Sequence, residues 1–196
     1  CGMAQALGAR LLDARGKPIP PGGAGLQHLA TIDVRPLRRR LKGVTVLGAT
    51  DVRNPLLGLR GAARVFGPQK GATPAQVAVL ERGLANFTRV CRRDLGVNPA
   101  RIPGAGAAGG MGAGLLAFTG ARLESGAGWL FDFLRFDAHL KRVDLVLTGE
   151  GNLDTQTRMG KLIAHVVSRA RRHHVRVIAY AGQIQLSRRD LAKLGL

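Results

Sequence analysis

Glu150, Asp154 and Lys161 fall within one short segment, Thr148-Gly-Glu-Gly-Asn-Leu-Asp-Thr-Gln-Thr-Arg-Met-Gly-Lys161. Gln156 and Thr157 add an amide and a hydroxyl, and Gly149, Gly151 and Gly160 hinge the backbone. Such a set suits the handling of phosphate. Carboxylates bind Mg²⁺ while waters and substrate phosphates complete its shell. A lysine and helix N–H groups neutralise phosphate oxygens, which is the positioning and electrostatic work of phosphoryl transfer. A capped turn between strand and helix explains the glycines and Thr157. It gives no reason for two carboxylates and a lysine together.

Three other segments carry candidate chemistry. Asp51-Val-Arg-Asn-Pro55 follows the apolar run Val44–Leu47, so Asp51 and Asn54 lie near a strand end, where open α/β sheets bind ligands. A local Asx-turn before the proline is the competing reading. Phe66-Gly-Pro-Gln-Lys-Gly-Ala72 sets Lys70 beside a glycine turn and a helix start, as a phosphate clamp or as a plain surface lysine. Pro103-Gly-Ala-Gly-Ala-Ala-Gly-Gly-Met-Gly-Ala-Gly114 contains GxGxxG at Gly104, Gly106 and Gly109. A dinucleotide fingerprint needs a strand directly before it, and Ala100-Arg-Ile-Pro103 is too short and proline-broken to supply one. Close backbone approach, with N–H groups that cradle an anion, is the better expectation.

These residues need elements to hold them. Thr73 caps and Pro74 opens a helix to Leu95, with Val77, Leu80, Leu84, Phe87 and Cys91 on one face and Gly96 as its stop. Leu130–Arg142 reads as a further amphipathic helix, favoured at its end by Lys141 and Arg142. Gly16–Gly23 reads as a turn. Strand (143–148), polar loop, helix (162–172) and strand (175–181) form a βαβ unit, whose crossover is expected to be right-handed. A composition shift near Ser125–Trp129 is the candidate domain boundary.

The 196 residues can bury a core, and no apolar run reaches the roughly 18 residues of a membrane span. With no leader pattern the expected location is cytoplasmic. Cys1 and Cys91 lack metal-ligand spacing and read as plain thiols. His173-His174, beside arginines at a helix end, reads as a solvated cap. A net charge of +18 raises nucleic acid as a partner. The arginines are scattered and aromatics scarce, so a solvated basic surface that also favours small anionic substrates is the simpler account.

Taken together, Asp51–Gly58, Gly61–Ala72, Pro103–Gly114 and Thr148–Thr157 with Gly160-Lys161 resemble the bacterial type I glycerate kinases in order and spacing. Gly2–Leu11 also resembles the helix after an upstream glycine-rich loop of that family. The resemblance implies a two-domain α/β scaffold, with residues 1–125 as the second, inserted α/β domain and 126–196 as part of a Rossmann-like domain. It implies ATP-dependent phosphorylation of glycerate to a phosphoglycerate with Mg²⁺. By the same resemblance Glu150, Asp154 and Lys161 would be catalytic, with Glu150 and Asp154 either binding Mg²⁺ or orienting the glycerate hydroxyl. Asp51, Asn54, Lys70, Gly104, Gly106, Gly149, Gly151, Gln156 and Thr157 would bind substrate or nucleotide. Family segments resembling Ala-Pro-Asp-Ser-Phe-Lys, Asp-Gly-Gly-Glu-Gly and Thr-Asn-Asp-Gly-Gly are absent, so truncation at both ends is expected. The rival expectations are an inactive remnant that binds a ligand or partner, and a basic nucleic-acid-binding module. Homo-oligomerisation stays open.

Overall fold

The computed structural model describes residues 1–154 and 162–196. The chain is α/β and divides into two compact units, Cys1–Leu123 and Glu124–Leu196.

The first unit is organised by one long helix. Elements in chain order are α1 (Gly2–Ala6), β1 (Arg10–Leu12), β2 (Thr31–Asp33), α2 (Arg35–Arg40), β3 (Leu47–Ala49), α3 (Ala62–Phe66), α4 (Pro74–Leu95) and α5 (Ala107–Gly114), ending with β4 (Arg122–Glu124). Antiparallel β1 and β2 pair from Arg10↔Asp33 to Leu12↔Thr31. Helix α4 starts and stops where the sequence says. Thr73 Oγ1 accepts the Gln76 N–H at 3.3 Å, the Gln76 side chain accepts the Thr73 N–H at 2.8 Å, and Gly96 ends the helix at φ 70°. This reciprocal cap satisfies two donors that a helix start leaves open. Its buried face carries Gly83, Leu84, Phe87, Val90 and Cys91, with the Phe87 ring tilted against Phe118 at 5.8 Å. Burial, reinforced by Asp94, pushes the Cys91 thiol up to about 12, so this cysteine is a core residue and not a nucleophile.

Polar side chains of α4 fasten the irregular chain that crosses it. Asn86 Nδ2 donates to the Leu26 and Leu29 carbonyls, both at 2.8 Å. Asn86→Ala leaves these half-buried carbonyls without that donor, and a urea titration is expected to show a loss of about 2 kcal/mol. Asp94 accepts the Ile32 N–H at 2.8 Å and pairs with Arg93. The Arg93 hydrogen bond holds the Asp94 carboxyl below its ordinary 3.8, against the opposing effect of burial and with help from Ile32. A depressed carboxylate contributes stability above its unfolded pKa and loses it as pH falls through the folded value. Asp94→Asn is therefore expected to flatten the pH dependence of stability below about pH 4, and to cost about 1–2 kcal/mol at pH 7, in denaturant titrations across pH.

The second unit contains α6 (Gly126–Phe133), α7 (Phe136–Leu140), β5 (Leu145–Leu153), α8 (Leu162–Arg172), β6 (Arg176–Ile184) and α9 (Arg188–Leu194). Strands β5 and β6 are parallel, in register from Leu145↔Arg176 to Leu153↔Ile184, with α8 between them in sequence. Buried Ile163, Val166, Val167 and Ala170 form the inward face of α8. The opposite face of the sheet exposes Leu147 and Tyr180 at 61 % and 65 %.

Four sequence expectations change. The single helix over Leu130–Arg142 is instead α6 and α7, parted by Arg135 at φ 50°. The break lets Phe136 stack on Phe131 at 4.6 Å, and Ser125, missed as a start signal, caps α6 through the Gly128 N–H. His173 is not a solvated cap: its Nε2 meets Asp137 Oδ1 at 2.9 Å, and Arg169 bridges Asp137 and Asp132. The strand expected over Val44–Leu47 begins only at Leu47, because Gly43 at φ 78° and the Val44 N–H to Leu41 carbonyl bond extend the turn after α2. Finally, the polar loop expected from Gly149 is strand as far as Leu153, and the partner strand runs from Arg176 to Ile184.

Candidate functional site

Two groups of candidate residues take shape, one in each unit. In the first unit the glycine-rich segment and the Asp51–Pro55 segment interlock. Gly106 donates its N–H to the Asn54 carbonyl at 3.0 Å, and a Cβ on Gly106 would lie 2.2 Å from the Pro55 carbonyl oxygen. A Cβ on Gly104 (φ 85°) would lie 3.0 Å from Thr50 Cγ2 and 3.3 Å from the Val52 carbonyl oxygen. Gly112, buried inside α5, would place a Cβ 2.2 Å from the Gly104 carbonyl oxygen. Small residues are required because backbones touch at each step.

Within α5 the backbone is left-handed at Ala108 (φ 50°), Gly109 (φ 71°) and Gly110 (φ 100°). Glycine accepts this freely; Ala108 carries a cost of about 1–2 kcal/mol. Strain held at an exposed loop points to a site. The Ala107 and Gly110 N–H groups donate to the Gly104 and Gly106 carbonyls at 3.0 and 3.3 Å, so an anion could be met here only by the N–H groups between them.

Asn54 makes no local turn. Its Nδ2 donates to the Arg60 carbonyl at 2.8 Å and closes the following loop. Asp51 lies exposed on the bend after β3. Lys70 is exposed at the end of a short 3₁₀ turn, Pro68–Lys70, before Gly71 in the left-handed region at φ 84° and the Thr73 cap. An exposed lysine four residues before a capped, 22-residue helix has both charge and helix dipole near it for an anion.

In the second unit Glu150 stands on β5, between Gly149 and Gly151. Alternation along the strand puts Val146, Thr148, Glu150 and Asn152 on its half-buried face, and Gly149 and Gly151 on the exposed one. A Cβ on Gly149 would lie 2.9 Å from the Tyr180 carbonyl oxygen, and one on Gly182 would lie 2.9 Å from the Gly151 carbonyl oxygen. On its exposed face the C-terminal half of β5 is therefore bare backbone at Gly149 and Gly151, beside the exposed Tyr180 of β6, at the end where parallel sheets bind ligands. Asp154 follows, half-buried, immediately after β5. Gln156, Thr157 and Lys161 lie outside the described residues.

Asn152 is the residue that motif reasoning missed. Its Oδ1 is buried without a hydrogen-bond partner among the described residues, on the same face as Glu150. A buried acceptor left open needs a donor or a cation. The signal was available in the period of two that joins positions 150, 152 and 154. These three supply hard oxygen donors, which fits Mg²⁺. Glu150 and Asp154 are four residues apart, roughly 13 Å if the chain stays extended, so they would share an ion only with water or phosphate completing its shell. No group of three His, Cys, Asp or Glu side chains forms a metal cage among the described residues.

Known proteins decide what this arrangement belongs to. A model of the glycerate kinase family matches residues 1–196. The chain belongs to the glycerate kinase family. It is 45 % identical over 183 residues to the glycerate 2-kinase of Escherichia coli K12, a match covering 93 % of this chain and 48 % of that one. The Bacillus subtilis 168 glycerate kinase matches at 45 % over the same shares of the two chains, 93 % and 48 %. The chain spans about half the length of these curated relatives. A crystal structure of a candidate glycerate kinase 2 from Salmonella typhimurium LT2 superposes with a TM-score of 0.81 at 45 % identity, over 94 % of this chain and 51 % of that one. No described helix of this family member is long and apolar enough to cross a membrane.

Proposed function

We propose that this protein transfers the γ-phosphoryl group of ATP to a hydroxyl of glycerate. The observation that carries the reading is the family match along all 196 residues. Two features of the chain support it: the left-handed backbone turn at Ala108–Gly110, and oxygen donors at the C-terminal end of a parallel sheet. Glu150 and Asp154 are assigned to orienting the glycerate hydroxyl or holding Mg²⁺, with Asn152 beside them. Mg²⁺ would supply charge neutralisation between the phosphates. Lys70 and Lys161 are assigned to phosphate oxygens or the glycerate carboxylate, and Gln156 and Thr157 to hydrogen bonds with substrate. Gly104, Gly106, Gly149 and Gly151 let the ligand approach the backbone, and Asp51 and Asn54 border the glycine-rich segment. The net charge of +18 favours capture of both anionic substrates. The same reading would put the protein in the cytoplasm, where ATP is supplied.

A coupled assay for ADP release, with ³¹P spectra of the product, tests the reading. Glycerate-dependent ADP with a phosphoglycerate product supports it. Ligand binding without turnover would instead mark an inactive, binding protein. Nucleic-acid binding with a steep salt dependence and no response to glycerate would replace it with the basic-module reading.

A further inference from the structure

Glu81 belongs to no motif of the candidate site, yet it is tied to one. It lies half-buried on α4, and its Oε1 accepts the N–H of Gly58 at 2.7 Å. Gly58 has φ 91°, and its carbonyl accepts the Gly61 N–H at 2.9 Å, so it sets the tip of the Asn54–Gly61 loop. From that tip the path is short. The Arg60 carbonyl accepts Asn54 Nδ2 at 2.8 Å, and the Asn54 carbonyl accepts the Gly106 N–H at 3.0 Å. One carboxylate on the long helix therefore reaches the glycine-rich segment through three further hydrogen bonds.

We propose that Glu81 is a positioning residue, which fixes the Asn54–Gly61 loop and through Asn54 the Gly104–Gly110 backbone for ligand capture. A charged acceptor makes the stronger kind of hydrogen bond to a backbone N–H. Its other oxygen, Oε2, is buried with no hydrogen-bond partner among the described residues. A side chain kept for stability alone would have both oxygens satisfied or be replaced by an apolar group. The loop base is held independently: Leu56 is fully buried, its N–H donates to the Ala100 carbonyl, and its carbonyl accepts the Ala62 N–H. Removing Glu81 frees the tip and leaves the base in place. The substrate side of this inference rests on the glycerate kinase reading; the tether does not.

The test compares amide hydrogen exchange in the full chain and its Glu81→Ala and Glu81→Gln variants, with glycerate kinetics alongside. Glu81→Ala is expected to speed exchange at Gly58 and Gly106 about tenfold or more, while Val90 and Cys91 in α4 stay within about twofold. Glu81→Gln keeps a carbonyl acceptor and is expected to restore most of the protection. The KM for glycerate should rise about tenfold in Glu81→Ala, with kcat changed less than about threefold. Unchanged exchange at Gly106, a parallel rise throughout α4, or no restoration by Gln overturns the proposal. Wild-type chain without glycerate turnover would overturn the reading of the reaction, and the exchange data would still decide the tether.

Discussion

Gly106→Ala is expected to destabilise the first unit by about 3 kcal/mol and to abolish ligand capture by the glycine-rich segment. The backbone at Gly106 is right-handed (φ −78°, ψ −8°), a conformation alanine adopts without strain, so the whole effect is steric. The new Cβ would stand 2.2 Å from the Pro55 carbonyl oxygen, 3.0 Å from the Asn54 carbonyl oxygen and 3.0 Å from the Pro55 carbonyl carbon. All three are backbone atoms, which no side-chain rotation can move. Relief requires the Asp51–Pro55 segment to shift, and that segment carries two of the proposed ligand-binding residues. Gly109→Ala is the control. Its φ of 71° disfavours alanine, but a Cβ there meets no atom within 4 Å. Strain alone should cost about 1 kcal/mol. Urea unfolding of the two variants reads the contrast, and equal losses would contradict the close approach of the two segments.

Asp154→Asn is expected to lower glycerate turnover about 100-fold while changing the unfolding free energy by less than about 0.5 kcal/mol. The substitution keeps size, removes the charge and replaces one acceptor oxygen by an amide donor. Asp154 follows the last residue of β5, where Leu153 is buried and anchors the strand end among Ile163, Val167 and Leu186. Packing at the strand end is therefore carried by Leu153, and a change of charge at Asp154 leaves that buried cluster intact. Lys161→Ala is expected to behave alike under its proposed role at the phosphates, because such an ammonium would act in the transition state more than in the fold. Comparable losses of turnover and stability in either variant would show the segment to be scaffolding.

Much of the fold was legible because local chemistry and packing agreed. Thr73, Pro74, the apolar spacing from Val77 to Cys91 and Gly96 all mark α4, and each acts in the structure as its type suggests. The glycine-rich run was legible as a place of backbone contact, since six glycines between Gly104 and Gly114 have no other common use. What escaped was decided at a distance. The extension of β5 through Gly149 and Gly151 runs against the low strand preference of glycine, and pairing with β6 overrides it. The break at Arg135 depends on the Phe131–Phe136 stack and on the meeting of Asp137 with Arg169 and His173, which sequence spacing does not reveal. The period of two at 150, 152 and 154 carries no meaning while the segment reads as loop, because a loop has no faces. Once it is strand, Asn152 falls beside Glu150 on one side.

Glycerate-dependent release of ADP from ATP and Mg²⁺, followed for the wild-type chain and for Asp154→Asn, tests the central claim most directly. ADP release that saturates with glycerate, yields a phosphoglycerate and falls about 100-fold in the variant is the expected result. Absence of ADP release, or release that ignores both glycerate and the Asp154 substitution, would contradict it.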